Sequence, residues 1–152
     1  MSLELVIFDL DGVLFDSGDL VVAAVERAVR RLSDETGRPL AGPPPERIHA
    51  LMGVPNREYV RGMELDLDES GWRRFQVLVQ EEEVALIEAG EARMPTGTLP
   101  LLDALADTPV RCAVASNCGR PYLMAFLDYF NLAERFSLAV CNDDAPDGDK
   151  AE

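Results

Sequence analysis

Two carboxylates separated by one residue, Asp9 and Asp11, follow the apolar segment Leu5-Val6-Ile7-Phe8 near the N-terminus. This segment predicts a strand that is buried on both faces. Alternate side chains of an extended backbone project to the same side, so the two acids should lie together where the strand ends. Gly12 then permits a sharp turn. Because carboxylates at the end of a buried strand are costly unless a cation or a proton stabilises them, the pattern predicts a functional site.

The spacing Asp-x-Asp-Gly also occurs in calcium-binding loops and in solvated turns. An EF-hand loop needs a glutamate at its last position. That position is Leu20 in this sequence, which excludes an EF-hand. A turn without catalytic function remains an alternative at this point.

Strands alternate with helices in the two terminal parts of the chain. Strands are predicted at 4–10, 110–115 and 136–141, and helices at 98–107 and 121–130. This alternation is typical of an α/β fold with a parallel sheet. In such sheets the site forms at the carboxyl ends of the strands. Asp9, Ser116 and the segment 141–144 all follow predicted strand ends.

The region between residues 18 and 93 has helical periodicity and no strand signal. Ser17 is predicted to cap a first helix, which ends at Gly37 and is followed by a Pro- and Gly-rich loop. Further helices are predicted at 46–52, 56–62 and 68–89. The chain therefore divides into an α/β core, residues 1–17 and 94–152, and a helical insert, residues 18–93.

Ser116 and Asn117 lie between the second predicted strand and a helix that opens with Arg120 and Pro121. A hydroxyl, backbone N–H groups and a helix N-terminus together can bind an anion. Ser-Asn after a strand is also common turn chemistry. The anion site is the favoured interpretation, because the predicted fold places Ser116 and Asn117 at the carboxyl ends of the strands, where the two aspartates also lie.

The residues Phe-Asp-Leu-Asp-Gly-Val-Leu-Phe-Asp-Ser at 8–17 resemble the first motif of the haloacid dehalogenase (HAD) superfamily, most of whose members are phosphatases and phosphomutases. The resemblance implies a Rossmann-like parallel core sheet, of which three strands are visible here. It also implies an inserted α-helical cap of the C1 type that closes over the site. Asp9 would be the nucleophile and a ligand of Mg²⁺. Asp11 would transfer protons and bind the metal through its backbone carbonyl.

Three further residues take their expected roles from the same resemblance. The family carries a Ser or Thr after the second core strand that holds the substrate phosphoryl group, and Ser116 with the Asn117 amide matches it. A lysine after the third strand neutralises phosphate and nucleophile, and Lys150 matches it. A single lysine near the end of a sequence is otherwise a solvated surface charge.

The expected activity is Mg²⁺-dependent hydrolysis of a small phosphorylated metabolite through an aspartyl-phosphate. The family's fourth motif, a strand with the acids that complete the metal site, should lie beyond Lys150, whereas the sequence ends at Glu152. We therefore expect the chain to be an inactive or weakly active fragment, with a non-catalytic binding or remnant domain as the alternative. A mutase of the β-phosphoglucomutase type is a further alternative. Its histidine would align with Val21, whereas the only histidine here is His49.

The composition narrows the class of partner. The net charge is -14, from 28 acidic and 14 basic residues, which argues against nucleic acid and anionic membrane surfaces as partners. The three cysteines do not form the even set of a disulfide framework, so a reducing cytoplasm is expected. No stretch approaches the ~20 apolar residues of a membrane span. The protein is expected to be a monomer or a weak dimer.

Overall fold

The computed structural model describes residues 3–54 and 56–144. Its helices and strands, in chain order, are β1 (Leu5–Phe8), α1 (Gly18–Thr36), α2 (Pro45–Ala50), α3 (Asn56–Met63), α4 (Glu69–Leu86), α5 (Thr98–Ala106), β2 (Arg111–Ala115), α6 (Arg120–Tyr129) and β3 (Leu138–Val140). A π-helical segment, Ile87–Glu91, follows α4, and short 3-10 turns lie at Ala133–Arg135 and Asn142–Asp144. The chain divides into two compact units, one of Met1–Ser17 with Ala92–Glu152 and the other of Gly18–Glu91.

The first unit contains a three-stranded parallel sheet in the order β1-β2-β3. Phe8 pairs with Val114 in β2, and Ala115 pairs with Val140 in β3. Helix α5 precedes β2 and helix α6 connects β2 to β3, as parallel strands require a crossover connection. These observations confirm the predicted α/β fold with an inserted helical segment.

The central strand and α6 both contribute buried side chains to the first unit. Cys112, Ala113 and Val114 of β2 are buried. Helix α6 buries Tyr122, Leu123, Phe126 and Leu127, two adjacent pairs that lie four residues apart and therefore form one face of the helix. This face fixes the rotation of α6 about its axis.

The prediction that β1 is buried on both faces is wrong. Ile7 is 62% exposed and Leu5 is also exposed, whereas Phe8 is buried. The described residues cover the side of β1 that carries Phe8 and leave the side that carries Ile7 accessible to solvent.

The second unit is helical, and its core is formed mainly by α1 and α4. Apolar side chains recur along one face of each helix and pack against Ile48 of α2 and against Met63 and Leu65. Asp68 precedes α4, and its carboxylate accepts a hydrogen bond from the Gly71 N–H at 2.7 Å, which caps the helix. On the surface, Arg31 of α1 forms ion pairs with Glu81 and Glu82 of α4.

The predicted capping role of Ser17 is wrong. Helix α1 begins at Gly18, directly after it. Ser17 is nevertheless 1% exposed, and its hydroxyl makes no hydrogen bond among the residues that the structure describes. Among the described residues, the N-terminus of α1 therefore gains no capping hydrogen bond from this side chain.

Candidate active site

Asp9 lies immediately beyond the end of β1. Its side chain is exposed, and its Oδ1 accepts a hydrogen bond from the N–H of Leu10 at 2.9 Å. Leu10 itself is fully buried. The buried leucine anchors the backbone next to Asp9 while the carboxylate remains accessible to a molecule in solution.

A tight turn follows Leu10 and places Asp11. The Leu10 carbonyl accepts hydrogen bonds from the N–H groups of Leu14 and Phe15, both at 2.9 Å. The Gly12 N–H donates to the Phe15 carbonyl at 2.8 Å. Gly12 has a φ of 75°, which is the left-handed region that favours glycine. The sequence motif thus folds into a closed, hydrogen-bonded loop that begins next to Asp9 and contains Asp11.

Asp11 is half-buried and contacts Tyr122, which is not among the predicted site residues. The hydroxyl of Tyr122 donates a hydrogen bond to Asp11 Oδ1 at 2.8 Å. The helical spacing identifies Tyr122 only as a buried face residue of α6. Nothing in the sequence links its hydroxyl to an aspartate so far away in the chain.

Ser116 lies at the corresponding end of β2. It is 2% exposed, its N–H donates to the Val140 carbonyl at 3.0 Å, and its Oγ accepts from the Cys118 N–H at 3.2 Å. Because Phe8 pairs with Val114, Asp9 and Ser116 follow the same end of adjacent strands, which lie ~4.8 Å apart in a sheet. Asn117, next in the chain, is half-buried.

The N-terminus of α6 is occupied by a carboxylate from the segment after β3. The Arg120 N–H donates to Asp143 Oδ2 at 2.7 Å, and the Arg120 guanidinium pairs with Asp144. Asp144 also accepts the Cys141 N–H at 2.9 Å. The hydrogen bond from the Cys141 amide, together with Arg120, lowers the pKa of Asp144 below its usual range. This helix N-terminus was predicted to belong to the anion site, but its first amide already has an acceptor in the protein.

The remaining predicted site residue, Lys150, lies outside the described residues. Within 3–54 and 56–144, no group of three or more His, Cys, Asp or Glu side chains is placed to hold a metal ion. Asp9 and Asp11 nevertheless offer oxygen atoms that can bind a metal ion, and the Asp9 side chain is exposed at the end of a strand. Mg²⁺ commonly binds one or two carboxylates and completes its shell with water and substrate phosphate. The chemistry of the two aspartates therefore fits Mg²⁺.

The chain belongs to the haloacid dehalogenase-like hydrolase family, whose model matches residues 6–149. Members of this family typically depend on Mg²⁺. No curated protein matches the chain in sequence. Within the described residues, no helix has both the length and the apolar character needed to cross a membrane.

Solved structures share the fold. A "predicted phosphoglycolate phosphatase" from Haemophilus somnus 129pt is 18% identical with a TM-score of 0.80, and the match covers 95% of this chain and 64% of that one. CbbY from Rhodobacter sphaeroides, solved in complex with phosphate, is 20% identical with a TM-score of 0.75, covering 95% and 66%. A subfamily IA HAD-superfamily hydrolase from Geobacter sulfurreducens PCA is 25% identical with a TM-score of 0.64, covering 95% and 66%. The chain thus spans 64–66% of the length of these structures.

Proposed function

We propose that this chain carries the catalytic aspartates of a phosphatase that hydrolyses a small phosphate monoester through an aspartyl-phosphate on Asp9. The observation that carries the proposal is the position of Asp9. Asp9 is an exposed carboxylate directly after β1. Ser116 directly follows the neighbouring parallel strand β2, so both residues lie at the carboxyl ends of adjacent strands. The structure of CbbY contains phosphate, which supports a phosphorylated ligand for this fold.

In the proposed reaction an oxygen of the Asp9 carboxylate attacks phosphorus, and the bond between phosphorus and the ester oxygen breaks. The Asp11 carboxyl group gives its proton to the leaving oxygen, which departs as an alcohol. Asp11, now a carboxylate, then takes a proton from the water that hydrolyses the aspartyl-phosphate. Inorganic phosphate leaves and Asp9 is regenerated. Such a proton transfer contributes roughly 10²–10⁴-fold to the rate.

Charge repulsion is the main obstacle to this reaction. A phosphate dianion that approaches Asp9 meets like charge, and each unit pair costs about 4 kcal/mol at ~4 Å and an effective dielectric of ~20. A Mg²⁺ ion held by Asp9 and the Asp11 carbonyl would offset part of this charge when bound. The Ser116 hydroxyl and the Asn117 amide would donate to phosphoryl oxygens, and Lys150 would supply a positive charge.

The decisive test measures phosphate release from a panel of small phosphate monoesters, with and without Mg²⁺. It uses the complete product of the gene that encodes this chain. We expect Mg²⁺-dependent release that falls on the order of 10³-fold or more in Asp9→Asn. Asp107→Asn, which makes the same change next to α5, serves as the control and should retain activity.

Two outcomes would contradict the proposal. Turnover that survives in Asp9→Asn would remove the nucleophile from the mechanism. Little net phosphate release, together with a requirement for a phosphorylated activator, would indicate a phosphomutase instead.

A further inference from the structure

The aromatic ring of Tyr122 is held in place by packing contacts that do not involve its hydroxyl group. The side chain is 2% exposed and lies in the first turns of α6, directly after Pro121. Its ring stacks on that of Phe15, with ring centroids 5.7 Å apart and an interplanar angle of 27°. Phe15 stacks in turn on Phe126, one helical turn further along α6, at 4.8 Å. The three rings fix the direction in which the Tyr122 hydroxyl points.

The hydroxyl points at Asp11. It donates a 2.8 Å hydrogen bond to Asp11 Oδ1, close to the usual length for a bond from a hydroxyl to an oxygen acceptor. Asp11 belongs to the same hydrogen-bonded turn as Phe15, so the ring and the hydroxyl of Tyr122 contact both ends of one loop. A carboxylate can accept at several positions on its two oxygens, so a bond to one of them leaves capacity for a second contact.

We propose that Tyr122 is a positioning residue, which holds the Asp11 carboxyl group in the orientation needed for proton transfer to the ester oxygen. This inference rests on the proposed function. Proton transfer requires the donor to lie within hydrogen-bonding reach of the leaving oxygen. A misplacement of about 1 Å can reduce a rate on the order of 10²-fold. Loss of the tyrosine hydroxyl would remove one restraint on the orientation of the Asp11 side chain.

The test uses the complete product of the gene that encodes this chain. It compares Tyr122→Phe with wild type on two substrates, an alkyl phosphate and p-nitrophenyl phosphate. An alkoxide must be protonated as it leaves, whereas p-nitrophenolate departs without a proton. The quantity measured is kcat/KM, because it reports the steps up to the first departure of the alcohol. We expect kcat/KM for the alkyl phosphate to fall by roughly 10- to 100-fold, and that for p-nitrophenyl phosphate to fall by less than about threefold.

The control is Tyr129→Phe, which removes the same atom from an exposed tyrosine of the same helix and should change neither value. An equal loss on both esters in Tyr122→Phe would overturn the inference, because a general loss of structure has no reason to distinguish leaving groups. A wild-type protein that hydrolyses neither ester would instead overturn the proposed function.

A second measurement does not depend on turnover. Free energies of unfolding are compared for Tyr122→Phe, Asp11→Ala and the double variant in the 152-residue chain. If Tyr122 holds Asp11, the two changes are not additive, and the double variant loses less than the sum of the single losses. Additive losses would show that the two side chains do not act together, and would overturn the inference.

Discussion

Asp143 accepts a hydrogen bond from the backbone N–H of Arg120 at 2.7 Å, so a carboxylate from the segment after β3 occupies the N-terminus of α6. A negative charge at this end of a helix is favourable, because the helix dipole and the unbonded amides are positive there. The segment after β3 is thereby tied to the helix that carries Tyr122. Asp144 strengthens the connection through its ion pair with the Arg120 guanidinium.

The Asp144 carboxylate should make stability depend on pH. The pKa of Asp144 is lowered, first by the Cys141 N–H and also by Arg120, so the folded state favours its charged form. The stabilisation is present above the unfolded pKa, about 3.9, and is lost as the pH falls through the lower folded value. We therefore expect Asp144→Asn to lower the melting temperature at pH 7, and the difference from wild type to shrink below about pH 4. Thermal unfolding between pH 2.5 and 7 measures both.

A control for the change of charge is Asp128→Asn, which removes an exposed carboxylate from α6, the helix whose N-terminus the segment after β3 contacts. It should not reproduce the loss at neutral pH. A difference for Asp144→Asn that stays constant from pH 7 to pH 3 would contradict the assignment of the effect to its ionised form.

The change in the free energy of unfolding on replacing Ser17 should have opposite signs if Ser17 caps α1, as the sequence predicts, and if it does not, as the structure shows. Replacement of a capping serine by alanine lowers the free energy of unfolding by about 1 kcal/mol. The structure instead shows a buried hydroxyl without a partner among the described residues. Removal of such a group relieves a desolvation cost, so we expect Ser17→Ala to be neutral or stabilising in urea unfolding. A loss near 1 kcal/mol would favour the cap.

The spacing of apolar residues was sufficient to predict the α/β fold, because the periodicity of a strand or a helix can be seen within a short stretch of sequence. It failed at Ile7, because exposure of a strand face depends on which elements lie across it and not on the strand's own residues. The contact between Tyr122 and Asp11 was also beyond sequence reasoning. It joins two distant segments through the rotation of α6, which only the packed core defines.

That rotation of α6 can be tested with two adjacent residues. Leu123 is fully buried and Met124 is 37% exposed. Leu123→Ala should cost about 2–5 kcal/mol, since it creates a cavity, whereas Met124→Ala should change the free energy of unfolding by less than about 0.5 kcal/mol. Urea titrations of the two variants give both values. Similar losses would mean that a different face of α6 is buried, and the Tyr122 hydroxyl would then not point at Asp11.

Ser116 offers a test of the phosphate contact that can be separated from stability. Its Oγ accepts the Cys118 N–H at 3.2 Å, so Ser116→Ala removes a protein hydrogen bond worth about 1 kcal/mol as well as the proposed donor to phosphate. Ser137→Ala is the matched control, because the Ser137 hydroxyl donates to the Cys112 carbonyl at 2.9 Å and has no role in the proposed site. We expect both variants to lose comparable stability. Only Ser116→Ala should lose about 10²-fold in kcat/KM for phosphate monoesters, and Ser116→Thr should recover most of it. Equal activity in the two alanine variants would remove Ser116 from the mechanism.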